Sequence, residues 1–517
     1  MIGKPGAGQG VAQGDRQPGD EGAAAPFGAR QLFGLVGGLV AAAVLILVPP
    51  PEGLSPTAWR TAGVAALMAV WWITEALPVY ATALVPLVLF PALGIADMRT
   101  AAAPYANPTI FLFMGGFMIA LAMQRWGLHR RIALAILSVA GTGPQQLIAG
   151  LMAATVFLSM WISNTSATLM MLPIATSVLA LIAGPGVPAR DARNIAPATM
   201  LAVGFGATIG GVATLIGTPP NALLAGFMQE TYGITVSFAA WMAVGVPLSL
   251  VLSVACWVLL CRLVFPVSRT PLAGAAQLIA AERTGLGPIG RGEIAVAIAF
   301  AVAATLWITQ PILAPLLPAL KITDAGIAMT VALVLFLVPV DLRRGVFVLD
   351  WTWANKLPWG LLVLFGGGLS LADAASASGL AAWIGQGLSG LSSVPAWMLV
   401  AIAVAAIVFL SEIASNTAAA ATLLPLLAVA AVTLGQNPLL FCIAGALAAS
   451  GGFMLPVATP PNAIVFGSGH VTMQQMVRAG FWLDLVWIVL VALAAIYLVP
   501  IAFDAPYGVV PDWAAPD

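Results

Sequence analysis

Two stretches of the chain closely resemble each other: SMWISNTSATLMML at residues 159–172 and SEIASNTAAAATLL at residues 411–424. Each places the tripeptide Ser-Asn-Thr within a long apolar segment. The copies lie 252 residues apart, and about sixty residues around them superimpose at that offset without a gap. The chain is therefore predicted to contain two related halves, each with a polar break in an apolar run.

A second motif follows each copy. Thr-Pro-Pro-Asn occurs at residues 218–221 and 459–462, at an offset of 241, and a Gly-Gly pair precedes each occurrence. Two halves that both carry a polar break are the arrangement from which transporters build one site at the interface of repeats. The paired motifs therefore indicate a site shared by both halves.

The composition excludes a water-soluble fold. Of 517 residues 61% are hydrophobic and 7% are charged, and the mean hydropathy is +1.03, so the chain is predicted to be an all-α polytopic membrane protein. Residues 1–30 are predicted to form a disordered cytoplasmic tail. Cys256, Cys261 and Cys442 lack metal-ligand spacing and are predicted to be free thiols. We expect no nucleic-acid partner.

Eleven spanning helices are predicted from the apolar runs. They lie at about residues 31–49, 57–77, 79–96, 109–127, 195–231, 236–265, 293–317, 323–341, 358–381, 437–468 and 479–502. The two Ser-Asn-Thr segments, at about 145–183 and 396–432, each contain two short apolar stretches that meet at the tripeptide. These segments are predicted to be re-entrant hairpins.

The basic residues set the orientation. With a cytoplasmic N-terminus, 16 of the 19 basic residues fall inside, as the positive-inside rule requires. The hairpins then open from opposite sides, so residues 31–265 and 293–503 are predicted to be inverted repeats. Residues 266–292 would be a cytoplasmic linker, and residues 504–517 a periplasmic C-terminal tail.

Polar side chains cluster where the first hairpin is predicted to turn. They are Ser159, Ser163, Asn164, Thr165, Ser166 and Thr168. Hydrocarbon penalises such a cluster unless it faces protein, water or ligand. A helix that stops there presents carbonyl groups, and the helix that restarts presents amide groups. One tip can therefore hold a cation and a carboxylate side by side.

The Thr-Pro-Pro-Asn motifs predict two discontinuous helices. Thr218 and Thr459 are expected to cap short half-helices that begin at Pro219 and Pro460, because threonine is a good N-cap and proline suits the first helical position. The preceding glycine pairs permit the chain to unwind. Each half-helix would supply the second part of a site.

The motif segments contain no Lys, Arg or His that could neutralise an anion. Positive charge must then come from half-helix N-termini and from bound cations. Neutral oxygens from Ser, Thr, Asn and backbone carbonyls are hard ligands that suit Na⁺. The sequence therefore favours cotransport, in which the cation and the anion each make the other's dehydration tolerable.

Glu412 lies next to Ser411 in a segment predicted to be within the membrane. An intramembrane carboxylate supports a functional hypothesis, such as proton sensing or a cation ligand. The simpler interpretation, which we favour, is a carboxylate bonded to neighbouring backbone or directed to a water-filled vestibule.

At these motifs the chain resembles the divalent anion:sodium symporter family of di- and tricarboxylate transporters. The resemblance extends from about residue 55 to residue 500. It includes Glu75-Ala76-Leu77-Pro78, Gly115-Gly116-Phe117, Trp126-Gly127-Leu128, Phe365-Gly366-Gly367-Gly368 and Leu455-Pro456-Val457-Ala458-Thr459-Pro460-Pro461-Asn462.

The resemblance implies a homodimer in the lipid bilayer, with a scaffold domain and a transport domain that moves as an elevator. It implies a first Na⁺ site around Ser159, Ser163, Asn164, Gly210 and Gly211, and a second around Ser411, Ser415, Asn416 and Ala458. The substrate carboxylates would meet Asn164, Thr165, Asn416 and Thr417, close to Thr218, Pro219, Thr459 and Pro460.

We therefore predict a transporter in the bacterial inner membrane that imports C4 dicarboxylates such as succinate, malate and fumarate with two or more Na⁺ ions. The same fold also serves Na⁺-independent dicarboxylate or citrate exchange and sulfate symport, which remain alternatives. An anion channel is an alternative from another class, but it would need a continuous wet pore, and its flux would show no coupling to Na⁺. An enzyme is not expected, because no His, Cys or paired carboxylate accompanies the tips.

Overall fold

The computed structural model describes residues 28–182, 189–268, 274–387 and 394–515. Within these ranges the chain forms 24 α-helices and one two-stranded antiparallel sheet. Nearly all of the predicted N-terminal tail lies outside the described residues, and the first helix begins at Ala29.

The helices of the first half follow the predicted spans, with additional short segments. They are α1 (Ala29–Leu47), α2 (Pro56–Thr74), α3 (Val79–Thr82), α4 (Val85–Ala92), α5 (Met98–Ala102), α6 (Pro108–Arg125), α7 (Leu128–Ala140), α8 (Pro144–Ser159), α9 (Asn164–Ile182), α10 (Ala189–Gly211), α11 (Pro219–Tyr232) and α12 (Phe238–Val258).

The rest of the chain holds the second set of helices and the small sheet. The elements are α13 (Ala275–Gly285), α14 (Arg291–Leu316), α15 (Asp324–Leu337), β1 (Pro339–Asp341), β2 (Val346–Phe347), α16 (Trp351–Ala354), α17 (Trp359–Ala377), α18 (Leu380–Gly387), α19 (Ala396–Ser411), α20 (Asn416–Thr433), α21 (Pro438–Ser450), α22 (Pro460–Gly467), α23 (Met473–Leu493) and α24 (Val499–Phe503). In β1 and β2, Pro339 lies opposite Phe347.

The fold class predicted from the sequence is confirmed, including both hairpins and both discontinuous helices. The pairs α8/α9 and α19/α20 each reverse direction at Ser-Asn-Thr, and the second arm of each begins at the asparagine. Each hairpin is followed by a broken helix, α10/α11 or α21/α22, and then by a long apolar helix, α12 or α23. The breaks fall at residues 212–218 and 451–459.

Seven of the helical segments in the described residues are long and apolar enough to cross a membrane by length and composition. They are Ala29–Leu47, Met98–Arg125, Phe238–Val264, Arg291–Leu316, Trp359–Ala377, Asn416–Thr433 and Met473–Phe503. Shorter apolar helices include both halves of the first hairpin and the first arm of the second. Many short apolar helices are expected of a fold whose hairpins and broken helices meet inside the bilayer.

The structure contains elements that the predicted spans did not include. The single span at 79–96 is divided into α3 and α4, because Pro86, at the second position of α4, has no N–H to continue the helical ladder from α3. The stretch between the predicted span at 109–127 and the first predicted hairpin forms α7, and the predicted linker at 266–292 contains α13. The predicted C-terminal tail packs on the bundle, since the ring centroids of Trp513 and Tyr232 lie 5.4 Å apart.

The two halves meet through the broken helices. A Cβ on Gly204 of α10 would lie 3.0 Å from Val465 of α22, so this glycine lets the two helices approach closely. The buried rings of Phe205 and Phe453 pack edge to face, with centroids 5.2 Å apart. The two Ser-Asn-Thr tips are therefore held in one packed body.

Candidate functional site

The first tip is built from the end of α8 and the start of α9. The Ser159 hydroxyl is fully buried and donates to the carbonyl of Ala207 at 2.7 Å. In the orientation that satisfies its surroundings, Asn164 directs Nδ2 to the Gly217 carbonyl at 3.2 Å, the Ala207 carbonyl at 3.1 Å and Ser159 Oγ at 2.8 Å. The side chain of Asn164 thus joins the hairpin to the broken helix.

The predicted glycine turn lies directly against this tip. A Cβ on Gly211 would lie 2.5 Å from a side-chain atom of Asn164, and a Cβ on Gly210 would collide with the backbone of Val156. Both positions therefore require glycine for close backbone approach. The structure brings together Ser159, Asn164, Gly210 and Gly211, which are four of the five residues predicted for the first Na⁺ site.

The first break is closed by its own backbone and by one asparagine. Ala213 N donates to Gly210 O at 3.1 Å, and the fully buried Asn221 donates through Nδ2 to Gly211 O at 3.2 Å and Thr214 O at 2.8 Å. The Thr214 hydroxyl reaches back to the carbonyl of Met160 at the hairpin tip. This segment is unwound, but its backbone polar groups mostly find hydrogen-bond partners nearby.

The second tip repeats the arrangement with different contacts. The buried Ser411 hydroxyl donates to the carbonyls of Val408, at 2.7 Å, and Gly451. Asn416 Nδ2 donates to Ser450 O at 3.2 Å, while Asn416 Oδ1 is buried and accepts no hydrogen bond from the described residues. A buried acceptor without a partner suits a cation ligand.

The predicted Ala458 region also reaches this tip. A Cβ on Gly452 would lie 3.3 Å from the Cβ of Ala458 and 3.6 Å from Ser411 Oγ. Asn462, the counterpart of Asn221, donates through Nδ2 to Gly452 O and Leu455 O, both at 3.1 Å. The structure therefore places Ser411, Asn416 and Ala458 around one broken segment.

The carboxylate of Glu412 binds the backbone of the second break. Its Oε1 accepts from Phe453 N at 2.6 Å and Met454 N at 2.9 Å, and its Oε2 accepts from Leu455 N at 2.9 Å. The side chain is 2% exposed. The interpretation favoured from the sequence, a carboxylate bonded to backbone, is confirmed.

The predicted caps differ between the halves. Thr459 Oγ1 accepts from Asn462 N at 3.3 Å, as predicted. Thr218 occupies the N-cap position with extended backbone, but its side chain forms no capping hydrogen bond, so that part of the prediction was wrong. Pro219 and Pro460 are the first residues of α11 and α22, as predicted.

The remaining predicted residues lie at the tips without joining these networks. Ser163 Oγ donates to Ser166 Oγ at 2.9 Å, within the first turn of the hairpin. Thr165 and Ser415 are half-buried, Thr417 is 9% exposed, and Pro460 is exposed. The tips are thus only partly covered by protein.

Sequence reasoning did not assign a role to Asn221 or Asn462. Both end the Thr-Pro-Pro-Asn motif and are fully buried, and each ties its half-helix back to the carbonyls of the broken segment. Both also carry a buried Oδ1 that accepts no hydrogen bond from the described residues. The signal was the repetition of asparagine three residues after the predicted cap.

One basic side chain comes close to the second tip. Arg30, in the first turn of α1, donates to the carbonyl of Ile413 at 3.0 Å and to that of Ile73. This proximity was missed because residues 30 and 413 are far apart in the sequence. Among the described residues no group of three or more His, Cys, Asp or Glu side chains could hold a metal ion.

The sodium:sulfate symporter transmembrane region family matches residues 29–502. The chain belongs to this family, the divalent anion:sodium symporters. Among curated relatives of this symporter family, the sodium-dependent dicarboxylate transporter SdcS of Staphylococcus saprophyticus is 40% identical over 476 residues, covering 91% of this chain and 92% of that protein. SdcS of Staphylococcus aureus strain USA300 is 39% identical over 484 residues and covers 92% of both.

Two solved structures share the fold of this symporter chain. The YdaH transporter of Alcanivorax borkumensis is 16% identical, with a TM-score of 0.52 over 92% of this chain and 98% of that one. MtrF of Neisseria gonorrhoeae is 13% identical, with a TM-score of 0.53 over 90% of this chain and 94% of that one. At these identities the likeness concerns the fold alone.

The helix termini give the candidate site its electrostatic character. α9 and α20 begin at the two tips, and α11 begins where the first break ends. Helix N-termini carry partial positive charge and free amides, which favour anions, whereas the hydroxyl, amide and carbonyl oxygens nearby favour hard cations. The arrangement can therefore bind ions of both signs without a basic side chain among the motif residues.

Proposed function

We propose that this protein is a Na⁺-coupled secondary transporter that imports C4 dicarboxylates such as succinate, malate or fumarate. One observation carries the proposal: two polar hairpin tips, each set against a broken helix, offer neutral oxygens and helix termini, with no basic side chain among the motif residues. The name of the SdcS relatives, sodium-dependent dicarboxylate transporter, supports the same substrate and ion.

The Na⁺ ions are cargo, and the residues at the tips fit them. We assign one ion to Ser159, Ser163, Asn164, Gly210 and Gly211, and a second to Ser411, Ser415, Asn416 and Ala458. Hydroxyl, amide and carbonyl oxygens are the ligands that a hard, weakly polarisable cation prefers. The buried Oδ1 of Asn416, which accepts no hydrogen bond from the described residues, supports the second assignment.

The substrate carboxylates would bind between the tips. We assign one to Asn164 and Thr165 and the other to Asn416 and Thr417, with Thr218-Pro219 and Thr459-Pro460 at the edge of the site. Asn164, Thr165, Asn416 and Thr417 begin α9 and α20, so their backbone amides and the positive ends of these helix dipoles would face the site. Pro219 and Pro460 have no N–H and would contribute only the dipoles of α11 and α22. The bound Na⁺ ions would supply the remaining positive charge.

Coupling follows from electrostatics. Without its cations, the site would hold a dianion poorly, because helix dipoles supply only about half a unit charge each. Na⁺ binding raises the affinity for the dianion, and by linkage the dianion raises the affinity for Na⁺. Only the empty and the fully loaded carrier would therefore cross readily.

For the movement itself we propose an elevator in a homodimer. The hairpins and broken helices pack on one another and on α12 and α23, and this body would move as the transport domain. The helices around α1, α2, α6 and α15 would form the scaffold. The hydrogen bond from Arg30 to Ile413 joins the two and would have to break during the movement. We place the protein in the bacterial inner membrane with its N-terminus in the cytoplasm.

Uptake into proteoliposomes tests the proposal. We expect succinate uptake that rises sigmoidally with external Na⁺ and carries net positive charge inward, which means more than two Na⁺ per dianion. Citrate and sulfate are the comparison substrates. Uptake that needs an internal dicarboxylate and no Na⁺ would contradict the proposal and establish an exchanger.

The asparagines of the two tips test the site assignment. We expect Asn164→Ala and Asn416→Ala to abolish succinate uptake while the protein remains folded in detergent, because each removes an oxygen ligand and a substrate contact. Asn355→Ala, at an exposed helix end, is the matched control. Wild-type uptake by either tip variant would refute the assignment.

A further inference from the structure

An elongated groove lies on the surface between α14 and α15, away from the two tips. Its volume is about 660 Å³, within the range of about 300–1,000 Å³ that small-molecule sites in proteins occupy. Each helix contributes one face, on which the lining residues recur every three or four positions. They include Ala295, Val302 and Leu306 of α14 and Ile327, Val334 and Val338 at α15. We call this cavity the α14/α15 groove.

The length of the groove is close to the depth of one leaflet of a bilayer. Its wall along α15 extends from Gly326 to Val338, which is about 18 Å at 1.5 Å per residue. The hydrocarbon core of a bilayer is about 30 Å thick, so one leaflet contributes about 15 Å. The described residues that line the groove are apolar except for Lys321, Thr323 and Thr330. The groove is therefore long and apolar enough to hold an extended acyl chain.

A positive charge lies at one end of the groove. Lys321, in the turn that precedes α15, is exposed and lines this end. None of the ion pairs among the described residues includes Lys321. The nearby Asp324 does not line the groove, because its carboxylate accepts the amide of Phe238 on α12 at 2.9 Å. The groove thus combines apolar walls with an unpaired cation at its mouth.

The lysine indicates which molecule covers the groove. A helix of a second copy could fill the apolar part, but it would bury the ammonium group, which is costly without a carboxylate to pair with it. A phospholipid brings an anionic phosphate on the same molecule as the acyl chain, and it leaves the ammonium group at the interface with water. Lys321 is one of the three basic residues predicted to lie outside, so this end of the groove would face the outer leaflet.

We propose that the α14/α15 groove binds one anionic phospholipid of the outer leaflet, with an acyl chain along the two helices and the phosphate at Lys321. The lysine ammonium is a compact charge with three donors, which suits phosphate oxygens. Selectivity comes from this contact, because an acyl chain that enters the groove leaves surroundings that are equally apolar. The site lies apart from the tips and takes a ligand of another class than the proposed cargo.

Native mass spectrometry of the purified, delipidated protein in detergent tests the contact with the head group. Phosphatidylglycerol and phosphatidylcholine with identical acyl chains are the probes. We expect wild-type protein to bind one phosphatidylglycerol per chain about fivefold more tightly than phosphatidylcholine, which corresponds to about 1 kcal/mol. Lys321→Gln should lose this preference, whereas Arg99→Gln, at another exposed basic residue predicted to lie outside, should keep it. Equal binding of both lipids by wild type, or an unchanged preference in Lys321→Gln, would overturn the inference.

Filling the groove tests the position of the acyl chain. Ala299 of α14 lines the groove, so Ala299→Phe should weaken phosphatidylglycerol binding by at least about fivefold. Ala301→Phe, on an exposed part of the same helix that does not line the groove, is the matched control and should bind as wild type does. Equal effects of the two variants would contradict the assignment.

The same spectra report the oligomeric state. A wild-type dimer without preferential phosphatidylglycerol binding that dissociates in Ala299→Phe would show that a second copy covers the groove, and would overturn the inference. Should Ala299→Phe not fold, Lys321→Gln decides alone, because the exposed side chain at position 321 forms no ion pair within the described residues. No transport is measured, so the inference can fail independently of the proposed function.

Discussion

The two broken helices contain similar turns, but the unwound backbone of each finds different hydrogen-bond partners. At residues 212–218 the chain closes mainly on itself, through backbone turns, and the position equivalent to Glu412 at the offset of 252 is Met160. At residues 451–459 the chain is more extended, and a carboxylate from the hairpin accepts three of its amides. Similar motifs thus support one tight break and one break that depends on a partner.

The difference predicts which substitutions each half tolerates. In the first half the glycine pair lies against the hairpin with no space for a methyl group, so the contact depends on backbone proximity. In the second half there is more space at Gly452, and the contact depends on charge and hydrogen bonds. Substitutions at equivalent positions should therefore have unequal effects.

The largest difference between the halves is expected in the uptake of variants with alanine in place of a glycine. Gly211→Ala places a Cβ 2.5 Å from Asn164, and overpacking of this kind costs about 1–3 kcal/mol. Because Asn164 must move, we expect succinate uptake to fall by at least about tenfold. Gly452→Ala places its Cβ 3.3 Å from Ala458, and we expect uptake within about threefold of wild type. Initial rates in proteoliposomes measure both, and equal losses would contradict the comparison.

Substitution of the asparagines that end the two Thr-Pro-Pro-Asn motifs should have a similar effect on stability in both halves. Asn221→Ala and Asn462→Ala each remove two hydrogen bonds to backbone carbonyls of a break, and each should lower the free energy of unfolding by about 1–3 kcal/mol. Thermal unfolding in detergent should give similar shifts for the two variants. A large shift for one variant alone would show that one break is not held by its asparagine.

Substitution of the two N-cap threonines should give the smallest difference in stability between the halves. Thr459→Val removes the capping acceptor of Asn462 N and should cost about 0.5–2 kcal/mol. Thr218→Val removes no capping hydrogen bond and should leave stability unchanged. The melting temperatures of the two variants in detergent check this, and a loss for Thr218→Val equal to that for Thr459→Val would refute the assigned cap geometry.

The sequence predicted the features that are local. A polar tripeptide inside an apolar run predicted each hairpin, and Thr-Pro-Pro after a glycine pair predicted each break, because these residue types have defined backbone preferences. The half-helices begin at Pro219 and Pro460, as expected, and the second arms begin within the tripeptides, at Asn164 and Asn416.

Contacts between distant residues could not be predicted in this way. Glu412 accepts hydrogen bonds from amides 41 to 43 residues further along the chain. The helices α7, α13 and α18 were missed because they are short and interrupt their apolar residues with polar or small ones. Their presence depends on packing against the bundle, which no local pattern encodes.

Succinate binding with and without Na⁺ tests the central claim most directly, namely that a dianion is held by helix termini and alkali ions instead of basic side chains. Isothermal titration of purified protein should show binding in NaCl and at least about tenfold weaker binding when choline replaces Na⁺ at equal ionic strength. Equal affinity in choline would contradict the account, because the positive charge on the substrate would then have to come from the protein itself.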